Sequence, residues 1–250
     1  MSNKQCLVPD WPAPRRINSL ITTRLGGVSV APYASLNLGD HVGDDPLAVT
    51  ANRRHLASHL PSEPCWLNQV HGTTVIEAMA GGKTTPPVAD ASFTRLPAVV
   101  CAVLTADCLP VLFCDRSASV VAVAHAGWRG LLAGVLEQTV VAMDISPDRL
   151  LAYFGPAIGP RAFEVGDEVR RAFVASCRDA AAAFQPAATG ETEKWFADIY
   201  LLARQRLRQL GITAIYGGQC CTWHENDRFF SYRRDGATGR MASLIWLSAN

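Results

Sequence analysis

Two apolar patterns share this chain. Near-continuous runs of Val, Ile, Leu and aromatics at "SLITT", "CWLNQV", "TVIEAM", "AVVCAVLT", "PVLFC", "SVVAVA", "LLAYF", "ITAIYG" and "SLIWL" predict strands. Apolar positions recurring every three to four residues predict helices in "DPLAVTANRRHLASHL", "LLAGVLEQTVVAM", "VGDEVRRAFVASC" and "ADIYLLARQRLRQL". Strands outnumber helices and do not alternate regularly with them, so the expectation is an α+β fold with mixed sheets flanked by helices rather than a doubly wound parallel sheet. No repeat and no convincing linker divides the chain, and residues 1–250 are expected to form one domain.

The apolar stretch from Leu96 to Phe113 is broken by Asp107 and Pro110, which predicts two core strands meeting at a polar turn rather than a membrane span. The segment "RDAAAAFQPAATGETEKW" reads as the end of a helix followed by a mobile surface loop. The start, "MSNKQCLVPDWPAP", lacks the apolar core of a secretory signal, so a cytoplasmic location is expected.

Composition narrows the function classes. The formal charge is +1 and the basic residues are scattered, so no nucleic-acid footprint is visible; "RQRLRQLG" reads as the solvated face of a helix. No membrane association and no obligate protein partner is implied. None of the eight cysteines stands as C-x-x-C, which removes the main support for zinc-ribbon and thioredoxin-like readings.

Polar residues interrupt the apolar runs at "LNQVHG" around His71, "TADCLP" around Cys108, and "HAGWRG" from His125. Each follows a strand-like run, where strand ends deliver side chains to a shared rim. His71, Cys108 and His125 make a plausible set of three zinc ligands, leaving a fourth position for water or substrate. Their separations of 37 and 17 positions form no local metal motif, and any one of them alone is more often a satisfied polar or small core residue; the shared context of turn, glycine and strand end is what favours the set. The same atoms allow a metal-free reading: Cys108 as a thiolate nucleophile, His71 or His125 as its base, and Asp107 as the orienting group.

Arg129 and the amides of Gly127 to Gly130 suggest an anion site at a helix start, although an arginine capping the turn would read alike. Arg24, in "TTRLGGVS", is a candidate second cation at the rim, and Asn68 and Gln69, just before His71, are candidates for substrate contact. "GPAIGP" with the following "FEVG" reads as a tight connection that leaves Glu164 on the surface.

Taken together, "TTRLGGVS", "SLNLGDHVGDD", "LNQVHG", "ADCLPVLF", "HAGWRG", "GPAIGP..FEVG" and "FFSYRRDGATGRMASLIWL" resemble the YfiH-like family, also called laccase-domain or multicopper polyphenol oxidase-like proteins. The resemblance is collinear over nearly the whole chain. It implies a single domain with mixed sheets, similar to cysteine hydrolases and to a bacterial toxin's deamidase domain. It also implies metal ligation by His71, Cys108 and His125. Catalytic roles for Cys108, Asp107 and Arg129 are read from the residues themselves, with Asp107 either a positioning partner or a proton carrier.

The activities implied are phosphorolysis of adenosine, inosine, guanosine and methylthioadenosine, together with adenosine deamination. The implied partners are therefore purine nucleosides and phosphate. Two other implied activities are peptidoglycan editing, by hydrolysis of wrongly built serine-containing cell-wall precursors, and copper-dependent phenol oxidation. Multicopper oxidases need a separate histidine-rich cluster, and the six histidines here include no His-x-His pair, so zinc is preferred to copper. The zinc deaminase signature, H-x-E with P-C-x-x-C, is absent, so deamination would be convergent. A non-enzymatic alternative, a structural zinc in an interaction module, calls for a fourth protein ligand.

Overall fold

The computed structural model describes residues 5–81, 85–187 and 193–249. In chain order the elements are β1 (Cys6–Leu7), β2 (Ile17–Thr22), α1 (Pro46–Ala57), β3 (Val75–Glu77), β4 (Ala91–Thr94), β5 (Cys101–Thr105), β6 (Leu109–Asp115) and β7 (Val121–Ala126). There follow α2 (Trp128–Ala133), α3 (Val135–Met143), β8 (Leu150–Phe154), β9 (Glu164–Gly166), α4 (Asp167–Ser176), β10 (Phe184–Pro186), β11 (Lys194–Ala197), α5 (Ile199–Gln209), β12 (Ala214–Gly217), α6 (Tyr232–Asp235) and β13 (Met241–Leu247).

Strand periodicity of two builds a stack of layers. The six-stranded sheet runs β12-β8-β6-β7-β4-β3, antiparallel at its centre and parallel at both edges. One of its faces carries Val111, Phe113, Ala122 and Ala124 and packs against Leu131, Val135 and Leu136 of the helical layer. The opposite face carries Leu112, Val121 and Val123 and meets Ile21, Val103 and Ile245 of the antiparallel sheet β1-β2-β13-β5. That second sheet is covered in turn by Leu36, Leu38 and Leu56 against Ala102, Leu104 and Leu244. The central strands are thus buried on both faces, which is why their sequences read as unbroken apolar runs. The result is a single-domain α+β fold with mixed sheets flanked by helices, and no helix among the described residues is long and apolar enough to cross a membrane.

The polar turn at Ala106–Cys108 joins two buried core strands, as expected, and steps the chain from the four-stranded sheet at β5 to the six-stranded sheet at β6. Other expectations need correction. "LLAGVLEQTVVAM" is split at Gly134, whose φ of 101° places it in the left-handed region and ends α2 before α3 begins. "CWLNQV" forms only isolated bridges at Cys65 and Asn68. There the Gln69 side chain pairs with β5 in place of main chain, accepting from Leu104 N (2.7 Å) and donating to Leu104 O (2.8 Å).

The alanine run is not the close of an α-helix before a loop. Arg178–Ala183 is a 3-10 turn with Ala180 and Ala183 buried, and the residues after it form the strand pair β10 and β11, which continues onto β9. Residues 188–192 lie outside the described residues. Small side chains and Phe184 pack here against Phe173, a tertiary contact that periodicity does not reveal.

Candidate active site

His125 lies in β7 on the face shared with Val121 and Val123, and it is 3% exposed. Pairing of β6 with β7 sets Pro110 opposite His125, and so brings Cys108, just before β6, beside Gly127. His71 reaches the same point from a loop, with a φ of 59°, and Asp107 takes a φ of 93°. Left-handed backbone at two non-glycine positions beside one site is local strain that the surrounding structure must hold in place.

The ligand atoms of His71, Cys108 and His125 all lie within 4.8 Å of one another, and theirs is the one such cluster of three among the described residues. Cys108 Sγ stands 3.7 Å from His71 Nε2. A tetrahedral zinc with ordinary Zn–S and Zn–N lengths needs a separation of about 3.6 Å, so this donor set fits that metal. A fourth ligand of the same kinds is not among the described residues at this spacing, which leaves a position open toward solvent.

Gly127 explains itself by this closeness: a Cβ there would stand 2.6 Å from His71 Cδ2 and 3.0 Å from Cys108 Sγ. Gly130 packs equally tightly, its missing Cβ 2.9 Å from Gly72 O. Both glycines of "HAGWRG" are therefore required for packing under the His71 loop.

Asp90 organises the triad and was not singled out from the sequence. It is fully buried, and its carboxylate accepts from the N–H groups of Val70 (3.2 Å), His71 (2.9 Å) and Gly72 (2.7 Å) and from His125 Nδ1 (2.8 Å). The last bond fixes the proton on Nδ1 and frees His125 Nε2 for a metal. Although burial pushes the other way, these hydrogen bonds hold the Asp90 carboxyl below its usual range.

Burial would raise the Cys108 thiol, but the facing His125 and hydrogen bonds from both imidazoles outweigh it and bring it down to about 6. Burial would lower His125, yet the Cys108 thiolate and the Asp90 bond lift it to about 9. Without metal the site is a thiolate–imidazolium pair at neutral pH.

The triad opens into a cleft of about 520 Å³. Trp128, Phe163 and Tyr232 give it apolar and aromatic walls, and Arg129, Arg233 and Arg240 give it positive charge. The acid lining it, Asp107, accepts from Thr222 Oγ1 (2.6 Å) and from Arg233 N (2.7 Å), so its carboxylate anchors the segment that carries the arginines. Arg129 is exposed, stacks 4.5 Å from the Trp128 ring centroid, and has no hydrogen bond or ion pair among the described residues.

Arg24 is not part of this rim. Its guanidinium donates to the carbonyls of Ala34 and Asn226 (3.0 Å each) and lies 4.8 Å from the Phe230 ring centroid, holding loops together. Asn68 is exposed and lines a smaller neighbouring hollow that shares His41 and Gln69 with the cleft. Gln69 reaches the cleft wall, but its amide is occupied by Leu104. Glu164 is half-buried in β9 and pairs with Lys194 at 3.3 Å. Arg233 and Arg240 fall within "FFSYRRDGATGR", where an arginine pair and a third arginine among turn residues were the available signal.

Known proteins match this architecture along almost its full length. Residues 18–248 match the family model described as multi-copper polyphenol oxidoreductase laccase. A purine nucleoside phosphorylase of Pseudomonas aeruginosa is 57% identical, with 96% of this chain and 98% of that one aligned. The purine nucleoside phosphorylase YfiH of Escherichia coli is 56% identical with the same coverage. Among solved structures, a Neisseria meningitidis protein superposes with a TM-score of 0.93 at 53% identity, covering 98% of this chain and all of that one. YlmD from Geobacillus stearothermophilus gives 0.86 at 32% identity, covering 100% and 98%. With the motifs, the fold and the His/Cys/His cluster in agreement over the same residues, the chain belongs to the YfiH-like laccase-domain family.

Proposed function

We propose that this protein is a zinc-dependent purine nucleoside phosphorylase acting on adenosine, inosine, guanosine and methylthioadenosine, with adenosine deamination as a second activity. The observation that carries the proposal is a three-ligand cluster with an open position, facing a cleft that is both aromatic and cationic. The names of the P. aeruginosa and E. coli relatives support it.

In the proposed reaction a phosphate oxygen bonds to the ribose C1′ while the C1′–N9 bond breaks. The bonding electrons leave with the purine, which takes up a proton, and ribose 1-phosphate remains. Trp128 and Phe163 offer flat apolar surfaces for the base. Arg129, which has no hydrogen bond or ion pair among the described residues, draws phosphate into the mouth of the cleft, and the amides at the start of α2 would add to its pull. Asp107 serves as a positioning group. When bound, zinc supplies Lewis acidity at its open position. In the proposed deamination the reacting centre is instead C6 of adenine, where a water oxygen bonds as the C6–N6 bond breaks and ammonia leaves, converting adenosine to inosine.

A second reading, hydrolysis of a serine-containing cell-wall precursor with Cys108 as nucleophile, draws on the lowered Cys108 thiol and its 3.7 Å approach to His71. It also accords with the cysteine-hydrolase similarity that the motif resemblance implies. Metal dependence separates the two readings.

The test is His71→Ala and Cys108→Ala, assayed for bound zinc and for phosphate-dependent release of hypoxanthine from inosine. Both properties should be lost together. Retention of both would refute the zinc-phosphorylase proposal. Arg129→Ala should raise KM for phosphate about threefold and leave that for nucleoside little changed.

A further inference from the structure

The motif "SLNLGDHVGDD" has no part in the chemistry above, yet it is built around one side chain of the cleft, Arg240. Asn37 is fully buried, and its Oδ1 accepts from the N–H groups of both Gly39 and Arg240 at 2.9 Å. Its Nδ2 donates to Gly39 O (3.1 Å) and Asp44 Oδ2 (2.9 Å), while its carbonyl accepts from Asn52 Nδ2 (2.9 Å). This network fixes the backbone of Gly39 against the stem of Arg240. A Cβ at residue 39 would lie 2.8 Å from Arg240 Cγ, so only glycine leaves room for the stem.

The head group is fixed as well. Arg240 Nη1 donates to the carbonyls of Thr238 (3.0 Å) and Gly239 (3.1 Å), and the guanidinium lies 5.9 Å from the Tyr232 ring centroid. Its Nε and Nη2 have no hydrogen-bond partner among the described residues, and the side chain lines the cleft that holds the triad. Arg233 is held similarly, with Nη1 donating to Glu164 O (2.5 Å) and the guanidinium 5.5 Å from the Phe163 ring centroid. Asp107, the acid that lines the cleft, already accepts from Thr222 and Arg233 N, Glu164 pairs with Lys194 at 3.3 Å, and Asp40 pairs with Arg53 at 3.2 Å.

We propose that Arg240 and Arg233 form the seat for a tetrahedral oxyanion, inorganic phosphate, with Arg240 as the fixed member and Asn37 and Gly39 as its positioning residues. The proposal rests on the phosphorylase reading for the identity of the anion. Anchored guanidinium groups lose little side-chain freedom on binding, whereas the exposed Arg129, with no hydrogen bond among the described residues, has more to lose. Arg129 thus captures the anion and Arg240 holds it.

The test is calorimetric titration of inorganic phosphate into the metal-replete protein without nucleoside. Arg240→Met should weaken phosphate binding at least about 30-fold, Arg233→Met about tenfold, and Arg129→Ala no more than about threefold, with metal content unchanged in each. Gly39→Ala keeps every charge but displaces the Arg240 stem, and should cost about fivefold or more.

Wild-type affinity in Arg240→Met, or no phosphate binding by the wild-type protein in the millimolar range, would overturn the seat. If Arg240→Met does not fold, Arg240→Lys and Gly39→Ala decide instead, and wild-type affinity in both overturns it. Arg240-dependent phosphate binding without base release from inosine would refute the phosphorylase reading and leave the seat standing. Base release with an unchanged phosphate KM in Arg240→Met would do the reverse.

Discussion

Two buried aspartates organise different parts of the site. Asp90 gathers three consecutive N–H groups of the His71 loop and one imidazole of β7, so a single carboxylate aligns two of the three candidate metal ligands. Asp107 gathers a hydroxyl and one N–H from the segment that follows β12, and so ties the arginine wall to the turn bearing Cys108. A carboxylate beside a metal centre thus need not be a ligand or a proton carrier. Its role is set by which donors it satisfies.

Conservative replacement separates the two carboxylates most sharply. Asp90→Asn cannot accept at both oxygens and should lower metal affinity about 10- to 100-fold, measured by competition with a chromophoric chelator. Loss of buried charge-assisted bonds should also cost about 2–4 kcal/mol of stability. Asp107→Asn should leave metal affinity within about threefold, because it touches no ligand side chain, and weaken phosphate instead. Equal effects of the two substitutions on metal would erase the distinction.

The pH dependence of metal uptake sharpens the Asp90 side. With Cys108 brought to about 6 and His125 lifted to about 9, the metal-free site between these values holds a thiolate and an imidazolium. Metal binding must then displace about one proton, from His125, so apparent affinity should rise about tenfold per pH unit across this window and level off above it. Proton release in weak buffer measures this directly. A flat profile between pH 6.5 and 8.5 would show that His125 is already neutral, whereas Asp90→Asn should shrink the slope because it removes the acceptor that holds the proton.

Gly127→Ala tests packing apart from charge. The added methyl meets His71 and Cys108, so metal affinity should fall several-fold and stability by about 1–3 kcal/mol, read from chelator competition and denaturant unfolding. The smallest effect belongs to Arg24→Ala, outside the rim. Phosphate and nucleoside KM should stay within about twofold while stability drops by about 1 kcal/mol. A phosphate KM raised tenfold would return Arg24 to the rim.

The sequence itself determined the α+β class, the four main helical segments, the apolar core strands and the three side chains offered as a candidate metal cluster. Each leaves a local trace: periodicity, an unbroken apolar run, or a polar residue and glycine at a strand end. Tertiary structure alone decided that β5 and β6 enter different sheets, that Asp90 serves His125 across 35 positions, and that Asn37 holds Arg240 across 203. Single hydrogen bonds and close approaches between distant positions repeat at no period, so nothing in the chain announces them until it has folded.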